Sequence, residues 1–183
     1  SSNDAELVRE IAAATAAEVA ATGIDWTFAP TLAVVRDDRW GRTYEAFSET
    51  PELVARFAGP ATEGYQGVIG SGDFLSGNRV LATAKHFLGD GGTEDGIDQG
   101  DTVCDEKTLR DIHGLAYFEA LEAGAQTVMV SFSSWCGLKM HGHDYLLKDV
   151  LKGQMGFDGF VISDWNGHGQ LEFCTNESGH VAI

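Results

Sequence analysis

Two apolar stretches of the sequence end in polar side chains that could take part in catalysis. The run 159–164 ends in Asp164, and the run 80–87 carries Lys85 and His86 near its end. A carboxylate at the carboxyl end of a buried strand points into a cleft. Asp164 alone could equally cap the segment that follows it, because Asp is common at helix starts. Two such runs together favour a shared active-site face.

The elements that position these side chains are predicted from apolar spacing and turn residues. A helix is predicted over 4–22, closed by Gly23, with one apolar face. That face consists of Leu7, Ile11, Ala14 and Val19. A second helix begins at Pro51, with Thr50 as its cap. Further helices are predicted at 106–123 and 143–151, and strands at 24–29, 80–84, 127–130 and 157–162.

This alternation of strands and helices predicts the fold class. Consecutive βαβ units pair their strands in parallel, with right-handed crossovers. Polar side chains follow several strands rather than a single glycine-rich turn, which favours a barrel over an open sheet. We therefore predict an α/β protein with a (β/α)8 TIM-type barrel. Only about four βα units are present, so the barrel is expected to be partial.

Composition excludes several classes of function. The net charge of −16 and the absence of a basic stripe argue against binding to nucleic acid, whereas a neutral sugar polymer is compatible. No stretch approaches the roughly 20 apolar residues of a membrane span. Cys104, Cys136 and Cys174 are widely spaced and form no CxxC pair, so neither a zinc site nor a disulfide framework is indicated.

Five motifs in order along the chain resemble the N-terminal catalytic domain of glycoside hydrolase family 3, in its β-glucosidase and exo-1,3/1,4-β-glucanase branch. The resemblance covers roughly residues 24–170. It rests on the segments 28–30 (FAP), 36–45 (RDDRWGRTYE), 85–93 (KHFLGDGGT), 128–135 (VMVSFSSW) and 159–165 (GFVISDW). The segment 171–183 departs most from the family's pattern.

The resemblance implies an exo-acting β-glucosidase that hydrolyses β-glucosides or β-glucan oligosaccharides with retention. Retention needs one carboxylate that attacks the anomeric carbon and a second carboxyl group that protonates the leaving oxygen. Asp164 is the candidate nucleophile, and a nearby Lys85 or Arg42 would favour its charged form. The candidate residues for the sugar subsite are Arg42, Lys85, His86, Met129 and Trp165. No cofactor and no metal are expected.

The acid/base residue is not assigned within this chain. In the glucosidase branch it is a glutamate of a following α/β sandwich domain. We therefore expect residues 1–183 to be a fragment of the N-terminal barrel domain, without its first strands, its last barrel elements and that second domain, and inactive alone. The missing domain of the same enzyme would be its partner. Glu45, Glu94 and Asp95 are available carboxylates, but their positions favour solvated surface groups.

Four alternative functions bear on this interpretation. The family's N-acetylglucosaminidase branch carries a catalytic histidine in the loop after the glycines. Residues 88–95 contain no histidine, so this branch is disfavoured. A metal-dependent hydrolase could use His141, His143, His168 and His180, since His-x-His is a possible ligand pair. A non-catalytic carbohydrate-binding remnant and a family 3 β-xylosidase stay open. Substrates of this kind usually lie outside the cytoplasm, which favours a periplasmic or secreted parent enzyme.

Overall fold

A computed structural model describes residues 3–171 as an α/β fold. The helices are α1 (Ala5–Ala21), α2 (Pro51–Gln66), α3 (Glu106–Thr108) and α4 (Leu115–Glu122), with π-helical segments at Leu109–Gly114 and Tyr145–Gln154. The strands are β1 (Thr83–Phe87), β2 (Asp101–Thr102), β3 (Thr127–Val130), β4 (Ser134–Trp135), β5 (Leu138–Lys139) and β6 (Phe160–Ile162). Short 3₁₀ turns connect them, including Thr43–Glu45 and Asp90–Gly92.

The strands form two three-stranded sheets within the described residues. The first has the order β1-β3-β6, and both of its pairings are parallel, as predicted. The second has the order β2-β4-β5, with β2 parallel and β5 antiparallel to β4. The helix connections between the parallel strands confirm the α/β class. Within residues 3–171 the strands do not close into a barrel.

The predicted elements agree with the structure to different degrees. The strand predicted at 127–130 is confirmed, and so are α1 and the start of α2 at Pro51. The strand predicted at 80–84 lies further along the chain as β1. The strand predicted at 24–29 is wrong, because only Trp26 forms a bridge there, with Leu81. Phe28 is half exposed instead of buried.

The main core lies between the outer face of the first sheet and the helices. Val128 is fully buried there, and Phe87 packs edge-on against Tyr117 at 5.1 Å between ring centroids. On the opposite face the Trp26 indole donates a hydrogen bond to Thr83 Oγ1 at 2.8 Å. The first sheet is therefore covered at the amino ends of its strands, and its carboxyl ends are left for a site.

Helix α1 packs on α2 through small residues rather than through its predicted apolar face. Its fully buried positions are Ala12 and Ala16, whereas Ile11 is 57% exposed. A Cβ on Gly64 of α2 would meet the Arg9 carbonyl oxygen and the Cβ of Ala12, so only glycine allows this close approach. None of the helices within residues 3–171 is both long and apolar enough to span a membrane.

The Gln66 side chain forms hydrogen bonds that connect the end of α2 to the starts of β1 and β3. This side chain is fully buried, and its Nε2 donates to the Gly124 carbonyl at 2.8 Å. Its Oε1 accepts the backbone N–H groups of Ala82 at 3.0 Å and Gln126 at 3.2 Å. One amide side chain therefore satisfies three backbone groups between the helix and the sheet.

We expect Gln66→Leu to lower the free energy of unfolding by about 3 kcal/mol, because buried backbone groups lose their partners while the volume is kept. Urea denaturation at neutral pH should show a lower midpoint with an unchanged slope. Gln154→Leu is the matched control, because Gln154 is exposed. Equal midpoints for the two variants would contradict this role of Gln66.

Candidate active site

All six residues predicted for the site line one cleft of about 500 Å³ at the carboxyl ends of β1, β3 and β6. These are Arg42, Lys85, His86, Met129, Asp164 and Trp165. The cleft is also lined by Phe28, Ile162, Ser163 and Asn166, which the sequence analysis did not name as site residues, and by His168, which it considered only as a metal ligand. The structure thus brings together the six predicted side chains, which are up to 123 residues apart in the sequence, from Arg42 to Trp165.

The parallel register explains why these side chains meet. Met129 pairs with Ile162 across β3 and β6, and Asp164 follows Ile162 by two residues, so it lies just beyond the level of Met129. The register of β1 against β3 shifts between Ala84 and Phe87. Side chains normally alternate between the two faces of a strand, and such an irregularity re-aims them. Both Lys85 and His86 consequently reach the cleft.

Arg42 enters the cleft from the turn that precedes Thr43–Glu45. Its guanidinium binds the Glu45 carboxylate through two hydrogen bonds of 2.9 Å, from Nε and Nη2. This pair lowers the pKa of Glu45, chiefly through the hydrogen bond from Arg42. Glu45 is therefore a half-buried partner of Arg42, not the solvated surface group that we predicted. A carboxylate held ionised in this way is poorly suited to donate a proton.

His86 lies between two carboxylates. Its Nδ1 is 2.8 Å from Asp90 Oδ2, and both side chains are buried. Its Nε2 is 3.7 Å from Asp164 Oδ2 and 3.1 Å from Arg42 Nη2. The imidazole therefore connects the buried loop after β1 with the candidate nucleophile.

Lys85 is the second cationic side chain of the cleft. Burial is the main cause that lowers its pKa, and the positive charge of Arg42 adds to the shift. The carboxylates of Glu45, Asp164 and Asp90 oppose it, in that order. The negative charge of Asp164 is therefore one of those that act on the Lys85 amine.

Apolar side chains form the floor and the rim of the cleft. Met129 is buried at the floor. Trp165 stands at the rim with 88% of its surface exposed, and Phe28 is half exposed nearby. A large aromatic face beside polar groups suits the apolar face of a sugar ring.

His141 contacts the backbone of the candidate nucleophile, a role that the sequence analysis missed. The Asp164 N–H donates to His141 Nε2 at 3.2 Å. A Cβ on Gly167 would collide with the same imidazole, so the turn after Asp164 packs directly on His141. Burial is the main cause that lowers the pKa of His141. No local sequence pattern connects residues that are brought together only by the fold.

The other histidines considered as metal ligands have separate partners. His143 stacks on Trp135 at 5.4 Å between ring centroids, whereas His141 contacts the Asp164 N–H. His168 lines the cleft, and His180 lies outside the described residues. Within residues 3–171 no group of three or more His, Cys, Asp or Glu side chains is arranged to hold a metal ion. Of the other carboxylates considered as acids, Glu94 is exposed and Asp95 pairs with Arg39 at 3.2 Å.

His113 lies behind the site and makes folding depend on pH. Its ring is buried, and this burial lowers its pKa from 6.5 to about 4, although the charge of Asp90 opposes the shift. Between these two values the unfolded chain binds a proton that the folded chain does not bind. Stability is therefore lost as the pH falls from about 6.5 to about 4.

We expect this histidine to contribute about 3 kcal/mol to the decrease in unfolding free energy between pH 7 and pH 4. His113→Leu removes the ionisable ring, so its stability should decrease less over that range than that of the unaltered protein. Urea titrations at several pH values measure the difference. His168→Leu, at an exposed position, is the control and should keep the full slope. Parallel slopes for all three proteins would contradict the assignment.

The site and the fold agree with known proteins. The glycosyl hydrolase family 3 N-terminal domain matches residues 1–183. The chain belongs to glycosyl hydrolase family 3. An exo-1,3/1,4-β-glucanase structure from a Pseudoalteromonas species is 62% identical with a TM-score of 0.89, over 91% of this chain and 21% of that chain. The Listeria innocua β-glucosidase in complex with glucose is 35% identical with a TM-score of 0.84, over 92% and 24%.

A β-xylosidase from Formosa agariphila is another family 3 relative, 41% identical over 170 residues, which are 91% of this chain and 23% of that protein. The chain spans about a fifth to a quarter of the length of these relatives. The resemblance seen in the sequence is thus confirmed at the level of the family. The N-terminal domain of this glycoside hydrolase family is TIM-barrel-like, and residues 3–171 contribute two small sheets to it.

Proposed function

We propose that this chain supplies the nucleophile and the innermost sugar subsite of a retaining, exo-acting β-glucosidase. The observation that carries the proposal is the position of Asp164. Its carboxylate follows β6 at the carboxyl end of a parallel sheet, 3.7 Å from His86, in a cleft that also contains Arg42 and Lys85. A carboxylate surrounded by hydrogen-bond donors and an apolar rim suits attack on a sugar held by its hydroxyls.

In this mechanism Asp164 Oδ attacks the anomeric carbon while the bond to the leaving oxygen breaks. Lys85 and Arg42 donate hydrogen bonds to hydroxyls of the −1 sugar, and Trp165 covers its apolar face. The glycosyl-enzyme on Asp164 is then hydrolysed by water, which restores the carboxylate. Hydrogen bonds to the hydroxyls strengthen as the ring approaches the transition state.

The proton for the leaving oxygen comes from outside the described cleft. Among residues 3–171, Asp164 is the only carboxylate that lines this cleft. We propose that residues 3–171 contribute about four βα units to a (β/α)8 barrel. The acid/base glutamate would then come from a following α/β domain of a longer protein, its carboxyl group about 5 to 5.5 Å from Asp164. On this proposal, residues 1–183 alone bind sugar but do not turn it over.

The proposed substrates are β-glucosides and β-glucan oligosaccharides, cleaved at the non-reducing-end glucosyl residue. Support comes from the exo-1,3/1,4-β-glucanase of Pseudoalteromonas, which is the more similar of the two structures compared. A β-xylosidase is the second candidate, favoured by the identity with the Formosa agariphila protein. The ratio of kcat/KM for 4-nitrophenyl β-glucoside and β-xyloside separates the two candidates.

The nucleophile is tested by trapping. The full-length protein is incubated with 2,4-dinitrophenyl 2-deoxy-2-fluoro-β-glucoside, whose leaving group needs no acid, and its intact mass is recorded. We expect one added 2-fluoroglucosyl group, located on the peptide that contains Asp164. Asp164→Asn should form no adduct, and Asp158→Asn, at an exposed position just before β6, should form it normally. An adduct on another residue, or none on the full-length protein, would contradict the proposal.

A further inference from the structure

The buried loop after β1 holds a carboxylate against the site histidine. Asp90 is 7% exposed and His86 is 2% exposed, and 2.8 Å separates Asp90 Oδ2 from His86 Nδ1. An ionised carboxylate only accepts hydrogen bonds, so a hydrogen bond between these two atoms places the proton on Nδ1. A buried carboxylate without such a donor would be costly.

Arg42 defines the state of the other ring nitrogen. Its Nη2 is 3.1 Å from His86 Nε2, within hydrogen-bond distance. An arginine side chain has only donors and stays protonated in proteins. Asp164 Oδ2 also faces Nε2, but at 3.7 Å it lies beyond hydrogen-bond distance, whereas Arg42 is within it. We therefore infer that His86 Nε2 carries a lone pair, because a proton on this nitrogen would face an N–H group of Arg42. The two contacts together select the neutral ring with its proton on Nδ1.

The groups around Asp90 are compatible with this arrangement. Burial raises the pKa of Tyr117 well above its ordinary value and lowers that of His113 to about 4, so both are uncharged at neutral pH. The charged side chains that feel Asp90 are the cations Arg42 and Lys85 on the cleft side. The negative charge of Asp90 thus acts on both cations of the cleft.

We propose that Asp90 is a positioning residue that holds His86 as the neutral Nδ1–H tautomer and directs the Nε2 lone pair at the Arg42 guanidinium of the sugar-binding cleft. A residue of this kind orients an imidazole without touching the ligand, as carboxylates do for metal-bound histidines. Asp90 lies four residues after His86 at the start of the 3₁₀ turn Asp90–Gly92, and its side chain reaches back to the ring.

This tautomer has a consequence for the ligand, which rests on the function proposed above. The Nε2 lone pair accepts from Arg42 and so holds its guanidinium at the edge of the cleft. The Asp164 carboxylate accepts hydrogen bonds, whereas Lys85 and the remaining N–H groups of Arg42 donate them. A sugar hydroxyl can therefore donate to Asp164 and accept from one of the two cations.

The tautomer is measured directly by NMR of the protein labelled with ¹⁵N in its histidine rings, without substrate and without reference to turnover. The signal of His86 is identified by its loss in His86→Gln. We expect a protonated Nδ1 and a bare Nε2 at neutral pH. A protonated Nε2, with Nδ1 bare or protonated, would overturn the proposal whatever the activity of the protein.

Two variants separate positioning from a general structural role. Asp90→Leu removes the acceptor, so the Nδ1–H tautomer should be lost, whereas the amide oxygen of Asp90→Asn still accepts and should retain it. Glu94→Leu, an exposed position in the same loop, is the control and should leave the His86 signal unchanged. An unchanged tautomer in Asp90→Leu would refute the proposal. If circular dichroism shows that Asp90→Leu does not fold, the NMR spectra of the unaltered protein and of Asp90→Asn still test the proposal. A protonated His86 Nε2 in the unaltered protein would contradict it.

Kinetics of the full-length protein provide a second readout. We expect kcat/KM for the glucoside to fall by about 10-fold to 100-fold in Asp90→Leu and less in Asp90→Asn. Trapping by the 2-fluoroglucoside should become slower in Asp90→Leu but still occur on Asp164. This result distinguishes the positioning role of Asp90 from the assignment of Asp164 as the nucleophile. If the nucleophile assignment were wrong, the unaltered protein would not be trapped on Asp164 either.

Discussion

Replacement of Asp164 by asparagine is expected to lower kcat for an aryl β-glucoside by about 10⁴-fold or more while the fold is kept. The amide has the size of the carboxylate, and its oxygen can still accept the 2.6 Å hydrogen bond from the Trp165 N–H. It cannot form a stable glycosyl ester. Initial rates with the full-length protein measure the loss, and thermal melting should show nearly the same midpoint as the unaltered protein. A variant with ordinary activity would remove Asp164 from the mechanism.

Azide rescue distinguishes a lost nucleophile from a lost acid. In Asp164→Ala, the small cavity left by the carboxylate admits azide, which can attack the anomeric carbon from the face that Asp164 occupied. We expect activity to recover with azide and the product to be the α-glucosyl azide, because attack then occurs once and with inversion. A β-glucosyl azide would instead identify the replaced residue as the acid/base. Asp158→Ala, at an exposed position, should show no dependence on azide.

The parts of this fold that were predictable are those with local patterns. The strand 127–130 is confirmed because a short, wholly buried apolar run between a helix and a polar segment admits few other structures. Segment 24–29 shares that appearance, yet it meets β1 only through the bridge from Trp26 to Leu81 and leaves Phe28 half exposed. Its strand character depends on neighbours that composition does not reveal.

Helix α1 and the second sheet show why tertiary packing is harder to predict. The predicted apolar face of α1 included Ile11, but the close crossing permitted by Gly64 buries Ala12 and Ala16 instead. Strands β2, β4 and β5 have two residues each, too few to show any alternation. In the site, motif residues were found at once, whereas Asp90 and His141 were missed as partners because their contacts depend on the fold.

Lys85→Met is expected to reduce kcat/KM by about 100-fold, through a lower kcat as well as a higher KM. Methionine keeps the apolar stem and removes the charged donor, so the sugar hydroxyl loses a charge-assisted hydrogen bond that strengthens in the transition state. Lys107→Met, at an exposed position paired with Asp111, is the control and should keep full activity. Unchanged kcat and KM would place Lys85 outside the subsite.

Stability provides an independent check on Lys85, because the direction of its effect is opposite to that on activity. Burial and the neighbouring Arg42 both disfavour the charged amine, which is why its pKa is lowered. Replacing a buried ionised group by an apolar one of similar volume is often neutral or stabilising. Lys85→Met should therefore melt no earlier than the unaltered protein while turnover falls. A variant that lost stability and activity together would indicate that Lys85 maintains the fold, whereas a stable and slow variant would show that its amine is retained for the substrate.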